Sequence, residues 1–318
     1  MPTSCADCSH PKFPMPPNNN SNNLTSALSR QMRLLRQKVD RIDLKMLQLL
    51  QQRTKLSGEI GKMKRRHGAV IYVPEREREL VARLTLLSKG QPSARAIAAI
   101  YREIMSSSRA AQGQAPIGLL QESASVVLPA SRACFGACEH FSPRKKWGEL
   151  AESLHTGELS LALLTGDDLA AALKSERWRS EFLTRFIVTG DFSPALEPRV
   201  SLAERIFIVT PRRDSAVPEA NRMLILIECK STPNAVKSLL RSMPDNPIHV
   251  VHAEQLTRRP ALTLRESAKS LVPTLVRLTL APSMDGDRAT NLITEAGKSA
   301  GLPVSILGIY PGTEDYGG

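Results

Sequence analysis

Arg53 occupies a position that its neighbours reserve for apolar side chains. Met32, Leu35, Val39, Ile42, Met46 and Leu49 precede it in steps of three and four, and Leu56, Ile60 and Met63 continue the rhythm. A cation in such a seam is costly unless an anion or hydrogen-bond acceptors meet it. Lys64 lies eleven residues further on, about three helical turns, and points roughly the same way. Arg36 stands beside Leu35 at the other end of the stripe. Downstream, "YVPEREREL" (Tyr72–Leu80) carries Arg76 and Glu77, and Ser108 and Gln112 lie four residues apart in "SSSRAAQ". The set holds several cations, one carboxylate, one hydroxyl and one amide. It suits a small dicarboxylate that also bears a hydroxyl. It supplies no nucleophile and no metal cage. The plainer reading is that each cation snorkels to water or pairs with an acid on a neighbouring helix. That reading weakens for the group, because about eighteen Lys/Arg face only about seven Asp/Glu between Gln31 and Gly113.

The elements that must position these residues are helices. The stripe from Met32 predicts one long helix, ended at "RHGAV" with Gly68 as C-cap. A second helix starts at Pro74, a favoured first-turn residue. A third, "ARAIAAIYREIMSSSRAAQ", has Ser93 as N-cap. "GQAP" reads as a linker. From Pro116 the texture becomes α/β: "PIGLL", "LSLALL", "TRFIVTG" and "RIFIVTP" predict strands, with "KKWGELAESLHTG" and "DDLAAALKSE" helical between them. From Arg222 the order is strand, helix, strand, strand, helix, strand, the ferredoxin-like split βαβ arrangement.

Composition sets outer bounds. The chain has 318 residues, 42% hydrophobic and 23% charged, which suits a globular protein of two or three domains. No apolar run is long enough to span a membrane, and no secretory pattern opens the chain. Five cysteines form no dense framework, so reduced thiols and a cytoplasmic location are expected. Cys5, Cys8 and His10 in "CADCSH" lack a second ligand cluster, so no metal is expected there. The net charge of +12 admits nucleic acid or a small polyanion as partner, but only 4% of residues are aromatic, which argues against a base-stacking surface.

Residues 31–113 resemble the all-helical class of chorismate mutase, of the kind fused to prephenate dehydratase in bacterial bifunctional enzymes. "LRQKVDRID", "QQRTKLSGEIGKMK", "YVPERERE" and "IYREIMSSSRAAQ" carry the resemblance. It implies an intertwined dimer with Arg36 acting in trans, chorismate as substrate and no cofactor. Arg36 and Arg53 would grip the two carboxylates. Lys64 and Gln112 would donate to the ether oxygen, Glu77 would orient the ring hydroxyl, and Arg76 and Ser108 would complete the wall. Glu75, Arg78 and Glu79 would be mostly solvated. Val73 departs from members that carry aspartate there.

The rest resembles a shortened prephenate dehydratase region followed by an ACT regulatory domain. The family's Gly-rich turn falls on "LQESASV", its "ENST" loop on "TGDD" (Thr165–Asp168), and its "TRF" motif on "ERIF" (Glu204–Phe207), with Thr184 and Arg185 in "LTRF" as the alternative pair. "LTRF" itself is expected in a strand. The second lobe is almost absent between Asp191 and Glu204. The closing "SILGIYPG" carries the ACT resemblance, and the effector positions fall on Asn234, Ala235, Val236 and Glu254, all altered. The expected division is therefore a disordered tail at 1–30, a mutase domain at 31–113, a degenerate dehydratase-like α/β region at 114–217, an ACT-like domain at 218–312 and a tail at 313–318. The function expected is a chorismate mutase without dehydratase activity. A bifunctional enzyme, a non-catalytic regulator binding a metabolite or partner enzyme, and a basic nucleic-acid binder stand as alternatives, the last marked by steep salt dependence.

Overall fold

The computed structural model describes residues 22–193, 201–212, 220–243, 248–255, 272–282 and 284–311. The chain divides into two units, Met1–Arg53 and Thr54–Gly318.

The first unit is described through the leading part of α1 (Asn22–Arg66), a 45-residue helix. Its length is about 68 Å at 1.5 Å per residue. The helix already begins at Asn22, inside the stretch expected to be an unstructured tail to residue 30. Every side chain from Leu28 to Gln52 is exposed. The apolar stripe is therefore bare, with Val39 54%, Ile42 56% and Leu49 63% exposed.

The second unit opens with the end of α1, followed by α2 (Pro74–Leu87) and α3 (Ala94–Gln112). Pro74 takes the first turn of α2 with Glu75 and Glu77, acids that favour a helix start. Ser93 caps α3, its side chain accepting from the Ala96 amide at 3.3 Å, and Gly113 closes the helix in the left-handed region at φ 76. α2 buries no residue. α3 buries Ile97, Met105, Ser106, Ser108 and Arg109.

An α/β layer follows: β1 (Ile117–Leu120), α4 (Ala124–Phe135), β2 (Phe141–Arg144), α5 (Trp147–His155), β3 (Leu161–Thr165), α6 (Gly166–Lys174), α7 (Glu176–Arg185), β4 (Phe186–Phe192) and β5 (Ile206–Pro211). The sheet order is β2-β1-β3-β5-β4. β1 pairs parallel with β2 and β3, whereas β5 pairs antiparallel with both β3 and β4. Three elements differ from expectation. α4 forms where a turn was matched, despite Pro129 inside it. β2 is an added edge strand. Leu183–Arg185 end helix α7 rather than opening the strand, which begins at Phe186.

The last part contains β6 (Arg222–Cys229), α8 (Thr232–Arg241), β7 (Ile248–Gln255), β8 (Val272–Leu280), α9 (Gly286–Ala300) and β9 (Val304–Tyr310). Its sheet, β7-β8-β6-β9, is antiparallel at every pairing and has the split βαβ order. β6 explains its own sequence. Met223, Ile225 and Ile227 pack with α8 and α9 residues, while Leu224 and Leu226 join the core of the α/β layer. Both faces are buried, so "MLILI" reads as a continuous apolar run rather than an alternation.

Candidate active site

Three helices of the second unit converge on a small set of polar side chains. At the crossing of α1 and α3, a Cβ on Gly61 would stand 2.6 Å from the Gln112 Cα, so only glycine lets the backbones meet. The Arg65 guanidinium donates to the Gln112 carbonyl at the same crossing. Gln112 is half-buried, and its Oε1 meets no hydrogen-bond partner among the described residues. One turn back, Ser108 is buried and its hydroxyl donates to the Ile104 carbonyl at 2.7 Å.

Lys64 follows Gly61 by one turn of α1. Its Nζ donates to the Ile71 carbonyl at 3.0 Å. Burial lowers its pKa from the ordinary lysine value, and the charge of Glu77 opposes that shift. Lys64 and Glu77 therefore sense each other across α1 and α2. Glu77 also receives the guanidinium of Arg109, a residue of α3 that is only 3% exposed. Arg109 donates to Glu139 Oε1 at 2.6 Å and to the Phe135 carbonyl at 2.5 Å, and lies over the Tyr72 ring at 5.5 Å. Burial would lower its pKa, but Glu77 and Glu139 outweigh this and raise it.

The sequence pattern did not single out Arg109. The signal was present: Ile97, Tyr101, Met105 and Arg109 recur every fourth residue, which puts a cation on the buried line of α3. Arg53 stands out on α1 by the same logic.

In the first unit, Arg36 is exposed and Arg53 half-buried. Arg76 is 72% exposed and pairs with Glu79 at 3.6 Å. It does not join the inner cluster of this chain, because α2 turns only one residue of that adjacent pair inwards, and that residue is Glu77. Glu75 and Arg78 pair with each other at 3.5 Å, both 31% exposed.

In the α/β layer, the positions matched to dehydratase motifs are engaged in the fold. Thr165 and Asp168 form a reciprocal capping box at the start of α6. Gly166 meets the turn at residues 201–204: a Cβ there would lie 2.6 Å from the Leu202 carbonyl carbon. Glu204 is exposed and accepts from the Ser201 hydroxyl at 2.9 Å. Arg205 is buried against Asp191, which also draws Arg277 to 3.5 Å. Tyr310 is fully buried, and burial together with Asp191 raises its hydroxyl pKa well above the ordinary value. Thr184 is exposed, and its hydroxyl donates back to Ser180 and Glu181 carbonyls of α7. Arg185 pairs with Glu181 at 2.8 Å. Both line an open surface groove with Arg177 and Trp178.

Of the effector positions, Asn234 is exposed on α8, Ala235 is buried, and Val236 packs on the core. Glu254 lies on β7 opposite Leu275. The tail cysteines Cys5 and Cys8, His10, Leu256 and Thr257 lie outside the described residues. Among the described residues, no group of three metal-ligating side chains occurs, and no helix is long and apolar enough to cross a membrane.

The chorismate mutase type II family profile matches residues 35–113. The helical segment is similar to the chorismate mutase family over that span. The matched residues include Lys64, Glu77, Ser108, Arg109 and Gln112. The chain is also 34% identical over 111 residues to the bifunctional chorismate mutase/prephenate dehydratase of Aquifex aeolicus (strain VF5). That match covers 34% of the chain and 31% of the relative, so it spans about a third of the relative's length. Among solved structures, GqqA, described as a novel type of quorum quenching acylase, is similar at TM-score 0.43 and 16% identity, over 61% of this chain and 94% of that one. The prephenate dehydratases of Streptococcus mutans and Staphylococcus aureus are similar at TM-scores 0.40 and 0.39 and identities of 13% and 12%. They cover 63% and 61% of this chain and 99% of each of theirs. Likeness at such identities does not extend to an activity.

Proposed function

We propose that the chain is a chorismate mutase, converting chorismate to prephenate by an intramolecular [3,3] rearrangement, and that it lacks prephenate dehydratase activity. The observation that carries the mutase reading is the convergence of Lys64, Glu77 and Gln112 from three helices of a segment matched to that family. The rearrangement needs no proton transfer and no covalent intermediate. The protein must hold the folded conformer and stabilise charge on the ether oxygen. The Lys64 ammonium has three donors and gives one to Ile71. Lys64 and the Gln112 amide would donate to the ether oxygen, and Glu77 would accept from the ring hydroxyl. Arg36 and Arg53 would hold the carboxylates by guanidinium forks.

The bare stripe of α1 supports a dimer. Burying a Leu, Ile or Met contributes about 1.5–3 kcal/mol, and the stripe leaves Leu35, Val39, Ile42, Met46 and Leu49 in water. A second copy of the helix would cover it, and would bring Arg36 into the partner's site. A chorismate-consumption assay on the purified chain tests the activity. Mixed dimers test the sharing: Arg36→Ala and Arg53→Ala chains, each nearly inactive, should regain activity when refolded together. No recovery despite proven subunit exchange counts against Arg36 acting in trans.

The loss of dehydratase activity is supported by the engaged motif positions. A glutamate acting as acid needs an enclosed pocket to raise its pKa, and Glu204 is exposed. Arg205 is committed to Asp191, and β4 pairs directly with β5 where a second lobe would otherwise be inserted. The bifunctional alternative draws on one feature, the groove that holds Thr184 and Arg185. Phenylpyruvate formation from prephenate, corrected for the spontaneous acid reaction, separates the two. An enzyme-dependent rate that vanishes in Thr184→Ala would establish the bifunctional reading. The split βαβ unit would then serve as an ACT-like regulatory or dimerising module.

A further inference from the structure

A loop of the α/β layer is built onto the mutase helices. Glu103, Ser106 and Arg109 stand at successive steps of three along α3. Glu103 Oε2 accepts from the Ala137 amide at 2.9 Å, Ser106 Oγ accepts from the Cys138 amide at 3.1 Å, and Arg109 donates to Glu139 at 2.6 Å. Three consecutive loop residues are thus taken up by three consecutive positions of one helix face. Gly136 enters this contact at φ 93, and a Cβ there would stand 2.6 Å from the Ser106 Cβ, so the loop has no slack. Gln114 adds a hydrogen bond to Glu139 Oε2 at 3.4 Å.

Arg109 ends this row and reaches both ways. One side of its guanidinium meets Glu139 and the carbonyl of Phe135, the last residue of α4, where a helix C-terminus favours a cation. The other side meets Glu77 on α2. The Glu139 and Arg109 side chains are 4% and 3% exposed, whereas Glu77 keeps 22% exposure, a face that a ligand hydroxyl can reach. α2 buries no residue, so its own packing does little to fix Glu77.

We propose that Arg109 is a positioning residue of the mutase site, holding Glu77 in place as a carboxylate and making that placement depend on the α/β layer through Glu139 and Phe135. The proposal rests on the mutase reading. It gives the α/β layer a task that needs no chemistry of its own: it anchors the cation that orients the mutase carboxylate. Among the described residues, the charged and titratable groups acting on or with Glu77 include Lys64 from α1, Arg109 from α3 and Cys134 from α4, whose thiol is pushed up to about 12, chiefly by burial. Arg109 is the buried, hydrogen-bonded cation of this set, so its removal should raise the Glu77 pKa.

The test uses the full chain, with chorismate consumption followed against pH for Arg109→Gln, Arg109→Lys and Glu139→Gln. For Arg109→Gln, kcat/KM should fall about 10- to 100-fold at neutral pH, and its acid limb should move up by about one pH unit or more. Arg109→Lys should restore the acid limb and part of the rate, since it keeps the charge without the planar fork. Glu139→Gln leaves both mutase residues intact, and should still lower kcat several-fold with KM nearly unchanged. A folded Arg109→Gln chain whose acid limb stays at the wild-type pH overturns the proposal, whether or not its rate falls with its thermal stability. If Arg109→Gln does not fold, wild-type kcat in Glu139→Gln overturns it. A wild-type chain that leaves chorismate untouched overturns the mutase reading itself; an active wild type with indifferent variants overturns only the role of Arg109.

Discussion

The N-terminal helices and the α/β layer place their charged residues in opposite settings. Around the three-helix crossing, Lys64, Glu77 and Gln112 are half-buried on three separate elements, and the Glu77 charge acts on Lys64. In the α/β layer, Asp191 is fully buried, Arg205 7% exposed, and Thr165 and Asp168 cap a helix. Both regions carry polar residues at positions matched to family motifs. The difference teaches that a motif residue is a site or a scaffold according to what its neighbours leave exposed.

The largest expected effect breaks the scaffold side. Asp191→Ala would leave Arg205 and Arg277 buried without their shared carboxylate. Removing one partner of a buried ion pair costs about 3–5 kcal/mol, so denaturant unfolding of the full chain should register a loss of that size. A loss below about 1 kcal/mol would show that the cluster does not fix the layer.

On the site side, Arg53→Ala should cost about 3–4 kcal/mol of transition-state stabilisation, so that kcat/KM drops by roughly two to three orders of magnitude with folding unchanged. A wild-type value in that variant would remove Arg53 from the carboxylate clamp. A smaller effect concerns pH. Lys64 must stay protonated to donate, and burial lowers its pKa from the ordinary 10.5. Mutase activity should therefore fall on the alkaline side at a pH below 10.5, and Lys64→Arg should move that limb upwards. An alkaline limb at the ordinary lysine value would mean that Lys64 is solvated in the working enzyme.

The smallest effect is a null one. Glu204→Gln should change neither mutase activity nor the background rate of phenylpyruvate formation, because the side chain is exposed and, among the described residues, bonded to Ser201 of its own turn. Any enzyme-dependent rate that Glu204→Gln abolishes would make the α/β layer a second site.

Local rhythm decided much of this protein in advance. Steps of three and four wrote α1, and Pro74, Ser93 and Gly113 marked the ends of α2 and α3, because capping and backbone conformation are properties of a few adjacent residues. Apolar runs between turns wrote β1, β3, β5 and β6 for the same reason. The type of residue at Lys64, Glu77, Ser108 and Gln112 was likewise readable. What only the tertiary structure decided was which polar residues meet. That Arg109 joins Glu77 to Glu139, thirty-two residues from one and thirty from the other, depends on helix crossings and a loop path that no local window contains. That Arg205 turns inwards to Asp191 while Glu204 folds back on Ser201 is decided in the turn ahead of β5, by a carboxylate fourteen residues away on β4. Burial of charge is a long-range outcome: the sequence supplies the cation, and the packing around it supplies the partner.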